Sequence, residues 1–526
     1  MIRPHPISRT FSRLAGAATA LVALAAIGLS LWMLSADTRP LEIHHDRADG
    51  VPLTVFAPPG AESAPVAVIG HGFAGSRQMM QPLAITLARH GYLAVTFDFP
   101  GHGGNARPFV PDLSDETERQ ARLRRALDAA VAHARGLPQA GGGMALLGHS
   151  MAGDILLDYA GDHPRQVAAS VLVSPYISGD TRLEGLSNLL FVFGEWEPAT
   201  LREPALAAFP VAPEAVRPGV THGDPDRGDA RRLAVAPDVE HIGVLYSGTM
   251  QEEALAWLQA ALPVPATPED TGGVTRWGPW LGLLFGGILL LARPLSALLP
   301  RVASPPAGAG LSWGRLLPLA VVPAVLTPLL LWPVPLGGLP LLLSDYLALH
   351  FAVYGGITWL LLMALQRRTG TVFPFRGPGR NRGRLLVAAI AAGLYATFAF
   401  GLPIHVFVTG YLPGAERLAV LPLILAGTLL FFTADAWLTR GAGAAPWGYA
   451  GTKVLLLISL MGAVALRLED LFFLVIILPA MAVFLLVYGL IDRWTWRATG
   501  HPLPGALAVA FALAWGMGVT FPLVSG

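Results

Sequence analysis

The run Met144-Ala145-Leu146-Leu147-Gly148-His149-Ser150-Met151-Ala152-Gly153 holds the residue best placed to do chemistry. A short apolar segment leads into small residues around a serine and then into a helical pattern. A sharp strand-to-helix turn needs small side chains two residues to either side of the serine, so that its hydroxyl is exposed on a strained backbone. Gly148 and Ala152 occupy those places. The chemistry this permits is nucleophilic attack by Ser150, provided that a base takes the hydroxyl proton, because a neutral hydroxyl is a weak nucleophile. An ordinary strand-to-helix turn reads the same way from this run alone. The chain has no cysteine, which excludes a thiol nucleophile, a Cys-ligated metal and any disulfide.

The elements that must position such a serine lie between about Pro40 and Pro263, where short apolar or β-branched runs alternate with amphipathic, Ala- and Arg-rich stretches. That alternation predicts an α/β domain. Strands are expected at Val51 to Ala57, Val66 to Gly70, Leu93 to Phe97, Met144 to Leu147, Ala169 to Val173, Asn188 to Phe193 and Arg232 to Ala236. Helices are expected at Arg77 to His90, Asp115 to Arg135, Met151 to Gly161 and Gln251 to Leu262. A Pro/Gly/Thr stretch, Pro263 to Gly273, reads as the way out of this domain. The organisation expected is a first membrane segment at 1–36, the α/β domain at 40–263, a linker at 264–276 and an all-α transmembrane domain at 277–526.

Composition agrees with that last assignment. Of 526 residues, 53% are hydrophobic and 13% charged, against about 25% charged in ordinary soluble proteins. A wholly soluble protein is excluded, and a formal charge of +1 gives no reason to expect nucleic acid as a partner. Leu14 to Leu34 is uncharged and spans about 31 Å as a helix, enough to cross a bilayer. Arg3, Arg9 and Arg13 precede it, as in a signal peptide or an uncleaved signal anchor. The length of the run favours the anchor, while Leu34-Ser35-Ala36 is a fair cleavage site.

Eight further apolar segments come after the α/β domain, near 277–299, 315–335, 341–365, 385–408, 418–438, 448–466, 471–491 and 503–524, making nine spans. With the amino terminus cytoplasmic, the cytoplasmic side beyond the α/β domain holds Arg293, Arg301, Arg315, Arg367, Arg368, Arg376, Arg380, Arg382, Arg384, Arg440, Lys453, Arg493 and Arg497. The opposite side holds Arg417 and Arg467. This asymmetry places the α/β domain and the carboxyl end outside the cytoplasm, on the periplasmic or extracellular side of a plasma membrane. No convincing internal repeat points to an inverted-repeat transporter. Asp345, His350 and His405 fall near the outer ends of spans, where they are candidates to line a polar pocket. Asp435, toward the cytoplasmic end, is expected to pair with Arg440.

Around these motifs, residues Leu41 to Leu262 resemble the α/β-hydrolase superfamily in its esterase, lipase and dienelactone-hydrolase-like branch. Val66-Ala67-Val68-Ile69-Gly70-His71-Gly72-Phe73 is similar to the strand ending in His-Gly that precedes one oxyanion donor. Phe97-Asp98-Phe99-Pro100-Gly101-His102-Gly103 resembles the superfamily's Asp-x-x-Gly-His-Gly turn, which gives His102 a structural role. The resemblance implies N–H donors at Phe73 and Met151, which would stabilise the oxyanion of a tetrahedral intermediate. It also implies the order Ser, acid, His, so the base falls on His241, with His222 the alternative. The acid falls on Glu197, with Glu195 the alternative and Asp180 a more distant one.

The activity implied by this resemblance is cleavage of carboxylic esters, lipid esters among them, by a Ser-His-Glu triad acting through an acyl-enzyme and without cofactor or metal. Asp224, Asp226 and Asp229 lack the rest of a calcium loop and read as solvated. Acyl transfer with the same triad, peptidase activity, and a transporter or scaffold with an inactive hydrolase domain remain open. Substrate and membrane lipids are the expected partners. Ser174 to Ser187 is too short for the helical cap of many lipases, whereas the insertion Pro198 to Arg231 is long enough for a partial cover.

Overall fold

A computed structural model describes residues 6–110, 115–264, 272–369 and 381–525. Arg3, Arg376, Arg380 and most of the expected linker lie outside the described residues, as do the side chains of Arg9 and Arg13. Nine strands form one sheet in the order β1-β2-β4-β3-β5-β6-β7-β9-β8. They are β1 Glu42–Ala48, β2 Val51–Ala57, β3 Ala64–Gly70, β4 Leu93–Phe97, β5 Ala140–His149, β6 Val167–Val173, β7 Leu189–Gly194, β8 Thr221–His222 and β9 Arg231–Ala236. From β4 through β9 in that order the strands are parallel, and β1, β2 and β8 run antiparallel to their neighbours.

The central strands are buried on both faces, as parallel strands covered by crossover helices must be. Side chains alternate between two cores: Ala67, Ile69, Ala145 and Leu147 point to one, Val66, Val68, Met144 and Leu146 to the other. After the long apolar helix α1 (Pro6–Ala36), the helices α2 (Gln81–Arg89) and α6 (Gly248–Ala261) cover the first face. The helices α3 (Glu116–Gly136) and α4 (Ala152–Asp162) cover the second. The insertion after β7 carries a short helix, α5 (Ala199–Leu206), and buries Ala205, Phe209 and Val216 in the second core, with Phe209 against Phe191. It therefore packs beside the sheet.

Nine helices among the described residues are long and apolar enough to cross a membrane. These are Leu14–Ala36, Trp277–Ser296, Trp313–Leu331, Ser344–Arg368, Arg382–Phe407, Leu421–Thr439, Gly448–Leu466, Leu474–Thr499 and Pro502–Thr520. They leave Leu21, Leu360, Ile458, Val483 and Leu486 exposed, an apolar surface suited to lipid. The fifth is interrupted by a π turn at Tyr395–Ala399. Asp435 pairs with Lys453, and Arg440 pairs with Asp492. The expected pairing of Asp435 with Arg440 is thus corrected, because each finds its counter-ion on a neighbouring helix. Asp345 accepts from the N–H groups of Gly337 and Tyr346, His350 meets Ser459 at 3.1 Å, and His405 accepts from Tyr411 N–H. No hydrogen bond joins these three to one another among the described residues.

The first core runs without a break from the sheet into the bundle, taking in Leu34, Trp277, Leu281 and Tyr346. Asp37, just past α1, accepts from Arg89 of α2 at 2.8 Å and from the Trp277 indole at 3.2 Å. Beyond the last helix the chain enters the α/β domain: Leu523 donates to Gly101 O and accepts from Phe109 N–H.

Candidate active site

Strand β5 ends at His149, and Ser150 adopts φ 51°, a left-handed conformation that costs a serine about 1 kcal/mol or more. Three backbone hydrogen bonds hold it there. Ser150 N–H donates to Val173 O at 3.0 Å, and Ser150 O accepts from Gly153 and Tyr176, each at 2.9 Å. The need for small neighbours is visible in the packing: a Cβ on Gly148 would come within 2.4 Å of Leu156 and 2.9 Å of Ala152. Ala152 is itself fully buried, so a methyl group is all that its position accommodates.

His241 lies in the loop after β9, with Nε2 3.0 Å from Ser150 Oγ and Nδ1 2.5 Å from Glu197 Oε1. Glu197 sits on the turn that closes β7 and is buried; its Oε2 accepts from Gly194 N–H and from the Ser174 hydroxyl, each at 2.6 Å. With the carboxylate on Nδ1, the imidazole proton is placed there and Nε2 is left to accept. Glu195 points elsewhere: it is exposed and accepts from Asp238 N–H at 3.0 Å, bracing the loop that leads to His241. Asp180 is exposed as well. The structure therefore brings Ser150, His241 and Glu197 into one hydrogen-bonded chain and leaves the alternative acids outside it.

The turn after β3 faces the serine. His71 Nδ1 donates to Gly72 O at 2.7 Å while its Nε2 accepts from Phe99 N–H at 3.0 Å, which fixes the turn from behind. A Cβ on Gly72 would lie 2.7 Å from His149 Nδ1 and 3.0 Å from Ser150 Cβ, so glycine allows the two turns to meet. Phe73 and Met151 flank this meeting point, and among the described residues neither backbone N–H donates a hydrogen bond outside regular structure.

His102 is fully buried, donates through Nδ1 to Pro100 O at 2.8 Å and meets Phe73 and Phe109 edge-on. Burial, reinforced by His71 nearby, holds its pKa well below the usual histidine value, so it props the turn in neutral form. His222 lies on β8 against Phe209, away from the serine. Asp224 and Asp229 accept from the N–H groups of their own loop and stand near Arg227. Among the described residues no three His, Asp or Glu side chains are grouped to hold a metal ion.

Two further residues support the hydrogen-bonded chain without a clear mark in the sequence. Ser174, at φ 44° just past β6, supplies the hydroxyl on Glu197; its only signal is its place at the end of the strand next to the acid-bearing strand. His149 donates through Nε2 to the His241 carbonyl at 2.9 Å, and the two rings lie 4.7 Å apart. Burial, followed by the nearby His241, depresses the His149 pKa well below the usual value, which keeps that ring neutral.

Parts of the chain are similar to known proteins. The family described as serine aminopeptidase, S33, matches residues 61–205. A monoacylglycerol lipase of Mycolicibacterium smegmatis is 29% identical over 191 residues, covering 33% of this chain and 63% of that lipase. The chain thus spans just under two thirds of that relative's length. Among solved structures, the dienelactone hydrolase of Anabaena variabilis is 16% identical with TM-score 0.31, over 43% of this chain and all of that one. A soluble variant of the monoglyceride lipase of Saccharomyces cerevisiae is 15% identical with TM-score 0.31, over 43% of this chain and 97% of that one. The α/β part of the chain is thus similar to hydrolases of this kind, and a helical region with candidate membrane spans is joined to it.

Proposed function

We propose that the protein is a membrane-integral serine hydrolase that cleaves carboxylic esters, lipid esters included, with its catalytic domain on the outer face of a plasma membrane. The observation that carries this reading is the unbroken hydrogen-bonded chain from Ser150 Oγ through His241 to Glu197. Support for the substrate class comes from the likeness to the monoacylglycerol lipase of Mycolicibacterium smegmatis. Support for the placement comes from the nine candidate spans and the basic bias of the opposite loops.

In this mechanism Ser150 Oγ attacks the ester carbonyl while its proton passes to His241 Nε2. The carbonyl oxygen becomes an oxyanion and is held by the N–H groups of Phe73 and Met151. Collapse breaks the carbon–oxygen bond to the alcohol, which leaves with the proton from Nε2. Water then attacks the acyl-serine, giving its proton to His241, and the second collapse releases the carboxylic acid and returns the proton to Ser150. Glu197 stabilises the imidazolium formed in each half.

The test is fluorophosphonate labelling of the full chain in detergent, wild type against Ser150→Ala and His241→Ala. Labelling that vanishes in the first variant and falls sharply in the second is the expected result. Folded wild type that takes no label would overturn the proposal.

A further inference from the structure

The catalytic edge of the sheet rests on the membrane bundle at several points. Phe73, an oxyanion donor in the proposed mechanism, lays its ring on Phe473 at 4.3 Å between centroids, inclined by 31°. Ser76, on the same turn, meets the Thr409 hydroxyl at 3.0 Å and accepts from Gly410 N–H at 2.9 Å. The turn after β4 is gripped by Arg417, whose guanidinium donates to Gly101 O at 2.5 Å as well as to Gly518 O and Phe521 O. Past His241, the Tyr246 backbone lies against Gly278 at the start of Trp277–Ser296.

All these partners sit at one end of the bundle, next to the termini of spans. Phe473 immediately precedes Leu474–Thr499, and Leu342 lies just before the helix beginning at Ser344. Leu342 packs on the same core that receives Phe73 and Met151. Helix ends mark the depth where hydrocarbon gives way to the polar interface, the level at which glycerolipid ester carbonyls lie. The apolar surface also continues outward: the Phe472 ring is 5.9 Å from Phe473, and Phe472 is 52% exposed. Meanwhile the connection from β6 to β7 contains no helix that could cover the site.

Resting on the reading of Ser150 as nucleophile, we infer that the membrane domain supplies the acyl-binding wall of this site. A lipid ester still seated in the bilayer would lay its acyl chain along Phe473 and Phe472 into the hydrocarbon, with its carbonyl at Ser150. Phe473 and Phe472 are then specificity-determining residues for long-chain, membrane-resident acyl esters.

The experiment uses the full chain reconstituted in phosphatidylcholine vesicles and measures kcat/KM for a palmitoyl and a butyryl monoester of glycerol. Wild type, Phe473→Ala, Phe473→Leu and Phe472→Ala are compared, and fluorophosphonate labelling of Ser150 reports whether each triad is assembled. Phe473→Ala should lower the palmitoyl-to-butyryl ratio about tenfold, and Phe473→Leu should restore most of it. Should Phe473→Ala fail to fold, exposed Phe472→Ala carries the test, with a smaller fall in the same ratio expected. An unchanged ratio, or equal losses on both esters in labelled protein, would overturn the inference and leave the serine reading standing. Wild type that neither labels nor turns over either ester would instead remove the serine reading, and this inference with it.

Discussion

Exchanging Glu197 for glutamine preserves the shape of the acid while removing its charge, and the surrounding donors dictate the result. Oε2 accepts from Gly194 N–H and from the Ser174 hydroxyl. A hydroxyl can rotate and accept instead, but a backbone N–H cannot reverse, so the amide oxygen of glutamine must take this position. Its NH2 then faces His241 Nδ1, 2.5 Å from the atom it replaces. Nδ1 is forced to accept, the single imidazole proton moves to Nε2, and the ring can no longer take the proton of Ser150 Oγ, 3.0 Å away. A tautomer reversal of this kind in a Ser-His-Asp triad costs about 10⁴ in kcat, equivalent to about 5.4 kcal/mol of barrier. The assay is kcat and KM on a short soluble ester, together with the fluorophosphonate inactivation rate, for folded Glu197→Gln. Glu195→Gln is the control, expected to stay within about threefold of wild type because its carboxylate only braces a loop. A fall of less than about tenfold in Glu197→Gln, or an equal fall in Glu195→Gln, would exclude this role for the Glu197 charge.

Two further outcomes stem from burial. His71, His102 and His149 are buried and have pKa values lowered chiefly by desolvation. Their folded values lie below the unfolded value of about 6.5, so the unfolded chain binds more protons as pH falls through that point. Stability is therefore full above it and lost below, by up to about 4 kcal/mol per pH unit for the three together. The thermal midpoint of the α/β domain should drop between neutral and mildly acidic pH and drop less in His102→Asn; a flat midpoint contradicts this. Separately, Arg417→Met leaves the carbonyls of Gly518 and Phe521 without that donor and should cost about 2 to 4 kcal/mol. Arg417→Lys should recover only part of this, for lack of a fork. Denaturation of both variants in detergent measures it, and wild-type midpoints would refute the role.

How much is readable in the sequence depends on how local the physics is. The buried strands announce themselves because apolar runs bounded by glycine have few other uses, and the elbow at Ser150 is written in its immediate neighbours. Strand β1 escapes detection because Glu42–Ala48 is a mostly exposed edge with no apolar pattern. Its one signal is Asp49-Gly50, both at positive φ, a hairpin turn of the type that pairs adjacent strands. Helix α5 is hidden by Pro204. The choice between Glu197 and Glu195 is open in the sequence, since both lie in one turn; geometry separates them because Gly194 and Ser174 converge on the first alone. Asp435 and Arg440 mislead for the opposite reason. Nearness along the chain suggests a pair, but the counter-ions come from other helices.

The contact between Leu523 and the residues Gly101 and Phe109 joins one of the earliest-made parts of the α/β domain to a segment translated after the ninth span. At about 5 to 20 residues per second, residue 523 emerges on the order of twenty to ninety seconds after residue 101. Until it closes the β4 turn lacks its last backbone partners, and for most of it Phe73 lacks Phe473. The nascent α/β domain thus waits with an apolar face uncovered, and its final ordering is tied to completion of the bundle. Ester cleavage, on the proposed reading, would then begin only once the whole chain is made, since until then Ser150 lies in an unfinished setting.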